Sequence, residues 1–543
     1  MPPTLHGADD RILRGYGPLI GMVALFAAVA LLAPTVAPEH DVVARTTTVN
    51  VGGASTPGAA PAAANAGTSG ARSGAPATAG ALVGGGVTTC PGAQIPGDAY
   101  SPACTGWSGG DNGGATAPGV TASTITFTYR ETDLPNIGAL VAQMSNGKLH
   151  VNETQADLER TLRVLATYFN SHFQFYGRKL QVKFFRGQGS LANEALGGGQ
   201  DAATADGIQA AQQEHAFGDL SGLTEPYAEA LTAHHVMDFD PLYMSAPWFT
   251  HRDPYAWSVL PDCTKVASAV VDFGTKMFRG RPADYAGGDL KGKPRKIAVV
   301  APDNPVYQSC ESTALTAAKA AGLPIADHRS YPLSLDSLQS NAQQLVSEFQ
   351  NEGITTIVLA NDPVTTFFMT ADAEQAGYFP EWVVTGVGFT DADYVGQLMD
   401  QKEWAHAAGI SFLGPQLPER AGPGYSAYRS VDSNTDPDPL MVDPLFYAGE
   451  QIAIGIQMAG PNLTPETFAA GLRHYRGGPG EAGTWAYPNG DHSAPQAARI
   501  IWWNPTKPSP FDNQPGTYES NGQFYPIGGF PSGQPPIFLD GAP

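Results

Sequence analysis

Between Lys296 and Phe389 the apolar positions switch between strand-like runs and helical spacing, and the rest of the chain is placed around this stretch. Lys296 to Pro302 (KIAVVAP) is a short apolar run of strand length. A helix is predicted from about Ser309 to Ala321, stopping at Gly322. Leu338, Ala342, Leu345 and Phe349 then recur at steps of four and three, the spacing of one buried helical face. Gly353 stands where a helix C′ glycine belongs. Ile354 to Ala360 is β-branched and nearly continuous, as a parallel strand buried on both faces should be. Asn361-Asp362-Pro363 turns the chain, with Asp362 as N-cap and Pro363 at the first helical position, where its missing N–H costs nothing. The helix it opens carries Val364, Phe367 and Phe368 and ends at Gly377, and Trp382 to Thr385 is the third strand. Three strands separated by helices predict right-handed crossovers and an open α/β sheet.

A weaker form of the alternation precedes this stretch. Ser123 to Tyr129 reads as a strand followed by the turn Arg130-Glu131-Thr132. A helix spans about Thr154 to Phe173, with Leu158, Leu162, Leu165 and Phe169 on one face, and Gly177 ends it. Lys179 to Phe185 is the second strand and Ala202 to His215 the second helix. Pro226 suits the first turn of a helix that finishes at His234-His235-Val236, and Pro241 to Ala246 reads as the next strand and turn. Downstream, Pro444 to Met458 is an apolar helix with Leu445, Ala448, Ile452 and Ile456 on one face.

The ordered set resembles the second lobe of a type I periplasmic binding protein. Its parts are a strand, a turn with Asn304 and Tyr307, a helix, a strand ending in Asn361-Asp362, a helix ending in Ala376-Gly377-Tyr378, and a strand into Thr385-Gly386. The family is that of the branched-chain amino acid (Leu/Ile/Val) substrate-binding proteins of ABC transporters, and the likeness extends over about residues 120 to 530. It implies an α/β fold of two open, mostly parallel sheets flanked by helices, with a hinge between two lobes. The boundaries expected are 119–260 with 391–495 for lobe 1, 261–390 with 496–530 for lobe 2, and a tail at 531–543. His251 to Asp262 would make the first crossing, and Asp391 onward would return to the first lobe.

Residues 17–37 are uncharged and as long as a bilayer-spanning helix requires, with Arg11 and Arg14 before them. The expectation is a transmembrane anchor, with 1–16 cytoplasmic and the bulk of the chain extracytoplasmic; a cleavable signal peptide is the alternative. Residues 38–118 are rich in Gly, Ala, Ser, Thr and Pro and offer little to bury, which predicts a tether. The net charge of −21 argues against nucleic acid as a partner. The four cysteines include no CxxC, which removes metal-ribbon and thioredoxin readings. Cys263 opens the helix before the central strand and Cys310 the helix after it, near one edge of the second-lobe sheet, so they are expected to pair, with Cys90 joined to Cys104. Both bonds call for an oxidising compartment.

In open α/β sheets ligands bind beyond the carboxyl ends of the strands. That rule and the resemblance nominate Tyr129, Thr224, Ser245, Trp248, Tyr307, Asp362 and Phe389 as ligand-binding residues. Thr224 and Ser245 bring hydroxyls, Asp362 an acceptor for an amine or hydroxyl, and the aromatics surfaces that stack and exclude water. Catalytic signatures fail on inspection. Gly287, Gly292 and Lys293 give GxxxxGK, but Pro294 replaces the magnesium-touching Ser or Thr, and neither GxSxG nor HExxH occurs. His234 and His235 are adjacent and diverge on a helix, and the acidic set Asp432, Asp436, Asp438 and Asp443 matches no calcium loop. No metal or cofactor is expected. The function implied is capture of an amino acid, an amide-like compound, or a larger or aromatic molecule between the lobes, and its delivery to an ABC permease. The alternatives are a membrane-tethered sensing or partner-binding ectodomain of the same fold and an envelope enzyme.

Overall fold

A computed structural model describes residues 92–132, 155–334, 337–418, 420–488 and 490–533. Residues 17–37 and Cys90 lie outside the described residues. Among the described residues no helix is long and apolar enough to cross a membrane.

Two sheets carry the architecture. The first contains β1 (Thr124–Glu131), β2 (Lys179–Arg186), β3 (Gly218–Asp219), β4 (Met237–Phe239) and β5 (Ala256–Trp257). All are parallel, in the order β2-β1-β3-β4-β5. Its core gathers Phe127, Phe217, Phe239 and Trp257 from the sheet with Phe169 of helix Gln155–His172, Ile452 of helix Val442–Ala459 and Phe468 of helix Pro465–His474. Burying side chains of this size supplies ~1.5–3 kcal/mol each, the main favourable term in holding a layer together.

The second sheet is built on β6 (Ile297–Pro302), β7 (Ile325–Tyr331), β8 (Thr356–Leu359), β9 (Glu381–Val384) and β10 (Ala407–Ser411). A small hairpin, β11 (Gly478–Gly480) with β12 (Gly483–Trp485), precedes β13 (Ala497–Pro508), β14 (Pro515–Ser520) and β15 (Tyr525–Pro526). The order is β14-β13-β10-β9-β8-β6-β7, with β15 paired to β13. β6 to β10 are parallel; β13 runs antiparallel to β10, and β14 and β15 antiparallel to β13, so the sheet is mixed. All six residues of β6 are buried, which is why its sequence is continuously apolar. Helix Pro363–Ala376 starts as its sequence demands: the Asp362 carboxylate accepts from Thr365 N at 2.8 Å, with proline in the first turn. Gly353 and Gly377 close their helices in the left-handed region, at φ 67° and 63°.

Four expectations need correction. Pro241 to Ala246 is not a strand: helix Glu225–Ala233 ends earlier, and the strand is Met237–Phe239, whose three residues include Asp238. β7 was not foreseen, because its alternating burial, with exposed Ala326, His328 and Ser330, carries no apolar run. The chain does not return to the first lobe at Asp391, since β10 pairs with β9 and β13 in the second sheet, and the return follows Ser411. Residues 92–118, expected as tether, pack on the body. Tyr100 is buried, stacks on Trp485 at 4.2 Å and donates its hydroxyl to Gly483 O at 2.8 Å. Asn112 donates to Ala122 O and Tyr176 O, both at 2.9 Å.

Two of the crossings between the sheets run side by side. Ser258 forms a parallel bridge to Ser493, whose hydroxyl donates to Asp262 Oδ2 at 2.8 Å. Lys265 Nζ binds Asp491 Oδ2 at 2.8 Å and the carbonyls of Ser493 and Pro495 at 2.5 and 3.0 Å. Cys263 and Cys310 are disulfide-bonded with their Cα atoms 5.8 Å apart, joining helix Cys263–Phe273 to helix Pro305–Ala321. Cys104 is also disulfide-bonded.

Candidate functional site

The carboxyl ends of the two sheets face each other across a cleft that two contacts frame. On one side Tyr243, which follows β4, reaches into the second lobe. Its hydroxyl accepts from Gly388 N and donates to Gly386 O at 3.4 Å, and its ring lies 5.9 Å from that of Tyr307. The receiving turn places Gly386, Gly388 and Phe389 at φ 84°, 66° and 57°. Gly388 has no substitute there, because a β-carbon would stand 2.5 Å from Pro363 Cδ. On the other side Gly197 of the first lobe lies against Asn304 of the second, close enough that a β-carbon would be 3.1 Å from Nδ2. Between them Trp248 and Val306, from opposite lobes, pack on the cluster of Met244, Phe249 and Ala256. Burial pushes the phenols of Tyr243 and Tyr307 above their ordinary range, so both stay protonated donors.

The nominated residues have distinct settings. Tyr307, Asp362 and Phe389 stand together on the second-lobe rim. Asp362 accepts from Thr365 N and Oγ1, both at 2.8 Å, and from the Tyr331 hydroxyl. Ser245 caps helix Ala246–His251 by accepting from Trp248 N at 3.3 Å. Trp248 lies under the Arg252 guanidinium at 4.0 Å and donates to Glu229 Oε1 at 3.3 Å. Thr224 donates to Glu194 Oε2 at 2.5 Å, which commits its hydroxyl to a protein partner. Tyr129 is buried in the first-lobe core, its ring 6.1 Å from Phe184. Of the seven, Trp248 packs in one cluster with Val306 of the other lobe, Tyr307 lies beside Tyr243, and Phe389 and Asp362 belong to the turn that Tyr243 reaches and the helix start packed on it.

Behind the first-lobe rim sits a buried ionic cluster. Arg130, at the carboxyl end of β1, donates Nη1 to Glu194 Oε1 at 2.8 Å and Asp206 Oδ2 at 3.1 Å, and Nη2 to Glu194 Oε2 at 2.8 Å. Its guanidinium lies 3.6 Å over the Tyr227 ring. Asp219 accepts from Thr128 Oγ1 at 2.6 Å, Ser221 Oγ at 2.6 Å, Ser221 N at 2.7 Å and the Tyr227 hydroxyl at 3.0 Å. Asp238 is fully buried, and burial with the neighbouring Asp219 pushes its pKa well up. A neutral Asp238 is the consequence, since an isolated buried charge is too costly. The cluster fixes the loop carrying Gly197 and the turn around Thr224, so it positions the rim.

Sequence reasoning missed Arg130 and gave Tyr243 no role in joining the lobes. The turn Pro241-Leu242-Tyr243 signals a bend, but nothing in it announces a left-handed tyrosine (φ 61°) crossing to the other lobe. The acidic loop resolves into local roles: Asp432 accepts from Thr435 Oγ1, Asp436 pairs with Arg429, Asp438 accepts from Met441 N, and Asp443 from Gly424 N. Among the described residues no group of three or more His, Cys, Asp or Glu is arranged to hold a metal ion.

No curated protein sequence matches the chain. Among solved structures, an ABC transporter substrate binding protein from Aeropyrum pernix superposes with a TM-score of 0.50 at 13% identity, covering 74% of this chain and 96% of that one. A solute binding protein of an ABC transporter from Rhodopseudomonas palustris BisB5, in complex with 3,4-dihydroxybenzoic acid, gives 0.50 at 10% identity, with 74% and 98% covered. A branched-chain amino acid transporter substrate binding protein from Streptococcus pneumoniae, in complex with isoleucine, gives 0.48 at 10% identity, with 73% and 100% covered. At such identities the likeness is one of fold. A family profile described as periplasmic binding protein matches residues 153–508, which hold β2 to β13 and the paired crossings, and the chain belongs to the periplasmic binding protein family.

Proposed function

We propose that this chain is an extracytoplasmic solute-binding protein that captures a small molecule between its lobes by hinge closure and delivers it to an ABC-type permease. The observation that carries the reading is the Tyr243 bridge to the Gly386–Phe389 turn, which joins strand ends of both lobes beside paired crossings suited to a hinge. A ligand touching both rims binds the closed arrangement better than the open one and so shifts the population toward closure; no covalent step is needed. Tyr307 and Phe389 would flank the ligand from the second lobe and Trp248 from the first. Asp362 would receive an amine or hydroxyl through the lone pairs left by its cap and by Tyr331. Thr224, Tyr129 and Ser245 would act by shaping the rim. The disulfides suit an oxidising compartment, and residues 17–37 would hold the chain to the membrane. The neighbour with 3,4-dihydroxybenzoic acid makes small aromatic acids reasonable first candidates beside amino acids.

The test is a thermal-shift screen of the full chain against amino acids, amides and aromatic acids, with calorimetry on every hit. A saturable hit weakened by both Tyr307→Ala and Trp248→Ala, one from each lobe, supports the reading. Hits indifferent to both substitutions, or none across the screen, contradict it.

A further inference from the structure

The second lobe contains an apolar cavity of about 90 Å³ between the face of its sheet and the two disulfide-linked helices. Val299, Val358 and Val383 form the floor; Val266 and Val270 line one wall, and Ala314 and Ala318 the other. The space exists because helix Pro305–Ala321 presents small residues to the sheet where leucines would fill the gap. Tyr243 and Tyr307 line its cleft end.

One charged residue lines this lining. Glu311 lies on the same helical stripe as Tyr307, Ala314 and Ala318, is 8% exposed, and its Oε1 has no hydrogen-bond partner among the described residues. A buried acceptor left unpaired costs about 1–3 kcal/mol, and a leucine would line the same wall without that penalty. Burial also raises the carboxyl's pKa, with His328 opposing the rise.

We infer that this cavity is a ligand site separate from the interlobe cleft, taking a compact aliphatic alcohol or amine whose hydrogen-bond donor meets Glu311 and whose carbons fill the space between Val266, Ala318 and Val358. Dry apolar cavities accept xenon and small hydrocarbons without rearrangement. What Glu311 adds is preference for a donor over a bare hydrocarbon, because only a donor restores the missing hydrogen bond. A carboxylic acid is disfavoured, since it would bring a second anion beside Glu311. The inference stands apart from the cleft reading: either site can fail while the other holds.

The experiment uses the full chain, with 3-methyl-1-butanol in calorimetry and xenon in ¹²⁹Xe NMR. Both are expected to bind wild type, and 3-methylbutanoate to bind at least tenfold more weakly than the alcohol, by about the worth of one hydrogen bond to a charged group. Glu311→Leu should weaken the alcohol about tenfold while xenon is retained. Ala318→Phe should abolish both; Ala314→Leu, at a less buried position, does the same service if Ala318→Phe fails to fold. Asp362→Ala, on the cleft rim, should leave both unchanged. The inference is overturned if wild type binds neither probe, if Glu311→Leu holds the alcohol as tightly as wild type, or if the cavity-filling variant that folds still binds. A cleft ligand found in the screen alongside the first of these outcomes would sink the second site and leave the proposed function standing.

Discussion

Replacing Tyr243 by phenylalanine removes one oxygen and, with it, both hydrogen bonds that cross the cleft at that corner. In the closed arrangement Gly388 N loses its acceptor and Gly386 O its donor, whereas in an open arrangement water serves all three groups. The substitution therefore acts on closure. Each net hydrogen bond is worth about 0.5–1.5 kcal/mol, and the long contact to Gly386 contributes at the lower end, so the closed form loses about 1–2 kcal/mol relative to the open one. That is a five- to thirtyfold fall in the closed-to-open ratio, and a ligand requiring closure weakens by up to the same factor. Small-angle scattering of the full chain should show a larger radius of gyration than wild type at equal concentration. Tyr425→Phe, which removes a phenol bonded to exposed Asp436 at 3.2 Å, should not. An unchanged scattering profile for Tyr243→Phe, or the same change in both variants, would refute the assignment of Tyr243 as the bond that favours closure.

Other expectations concern stability. Glu403 is fully buried, accepts from Trp382 Nε1 at 3.1 Å and has its carboxyl pushed up to about 9 by burial. Because the folded pKa lies above the unfolded one, the native state binds the extra proton, and stability from this residue falls as pH rises from about 4.5 to about 9. Glu403→Gln should thus be more stable than wild type by about 3 kcal/mol at pH 7 and equal to it near pH 4, as read by urea denaturation; a constant gap across pH would contradict the mechanism. Glu194→Ala leaves Arg130 with Asp206, at 3.1 Å, as its remaining buried carboxylate and takes the acceptor of the Thr224 hydroxyl, and should cost about 3 kcal/mol, while Glu194→Gln, which keeps acceptors for both, should cost less. Removing the Cys263–Cys310 bond by Cys263→Ser with Cys310→Ser frees a 47-residue separation and should cost about 4 kcal/mol in the chain-entropy account, measured by the same titration.

How much of this could be read beforehand follows from which signals are local. Asp362-Pro363, Gly353 and Gly377 are short-range punctuation and sit in the structure where the sequence places them, as does the continuously apolar run of β6. β7 escaped because a sheet edge exposes every second residue, and β4 because three residues containing Asp238 offer no pattern. The misplaced return at Asp391 has a similar source. Two four-residue helices, Asp393–Gly396 and Gln401–Trp404, carry too little periodicity to show that β10 still belongs to the second sheet. Tyr100 turned a stretch of tether composition into packed structure, since one aromatic stacked on Trp485 anchors a segment that is otherwise small and polar. On the second-lobe rim the local settings were legible, since Asp362 caps its helix as its sequence demands. Thr224 was not, because its partner Glu194 is 30 residues away in sequence. Glu311 was visible in principle: the steps from Tyr307 to Ala314 and Ala318 put it on the sheet-facing stripe.

The central claim is that a small molecule is held by both lobes at once. The most direct measurement is a crystal structure of the chain with the first compound that saturably raises its Tm. The account predicts density in the cleft framed by Tyr243 with Gly386 and by Gly197 with Asn304, in contact with Trp248 on one side and Tyr307 or Phe389 on the other. A compound bound to one lobe only, or on the outer surface with the cleft empty, would contradict it.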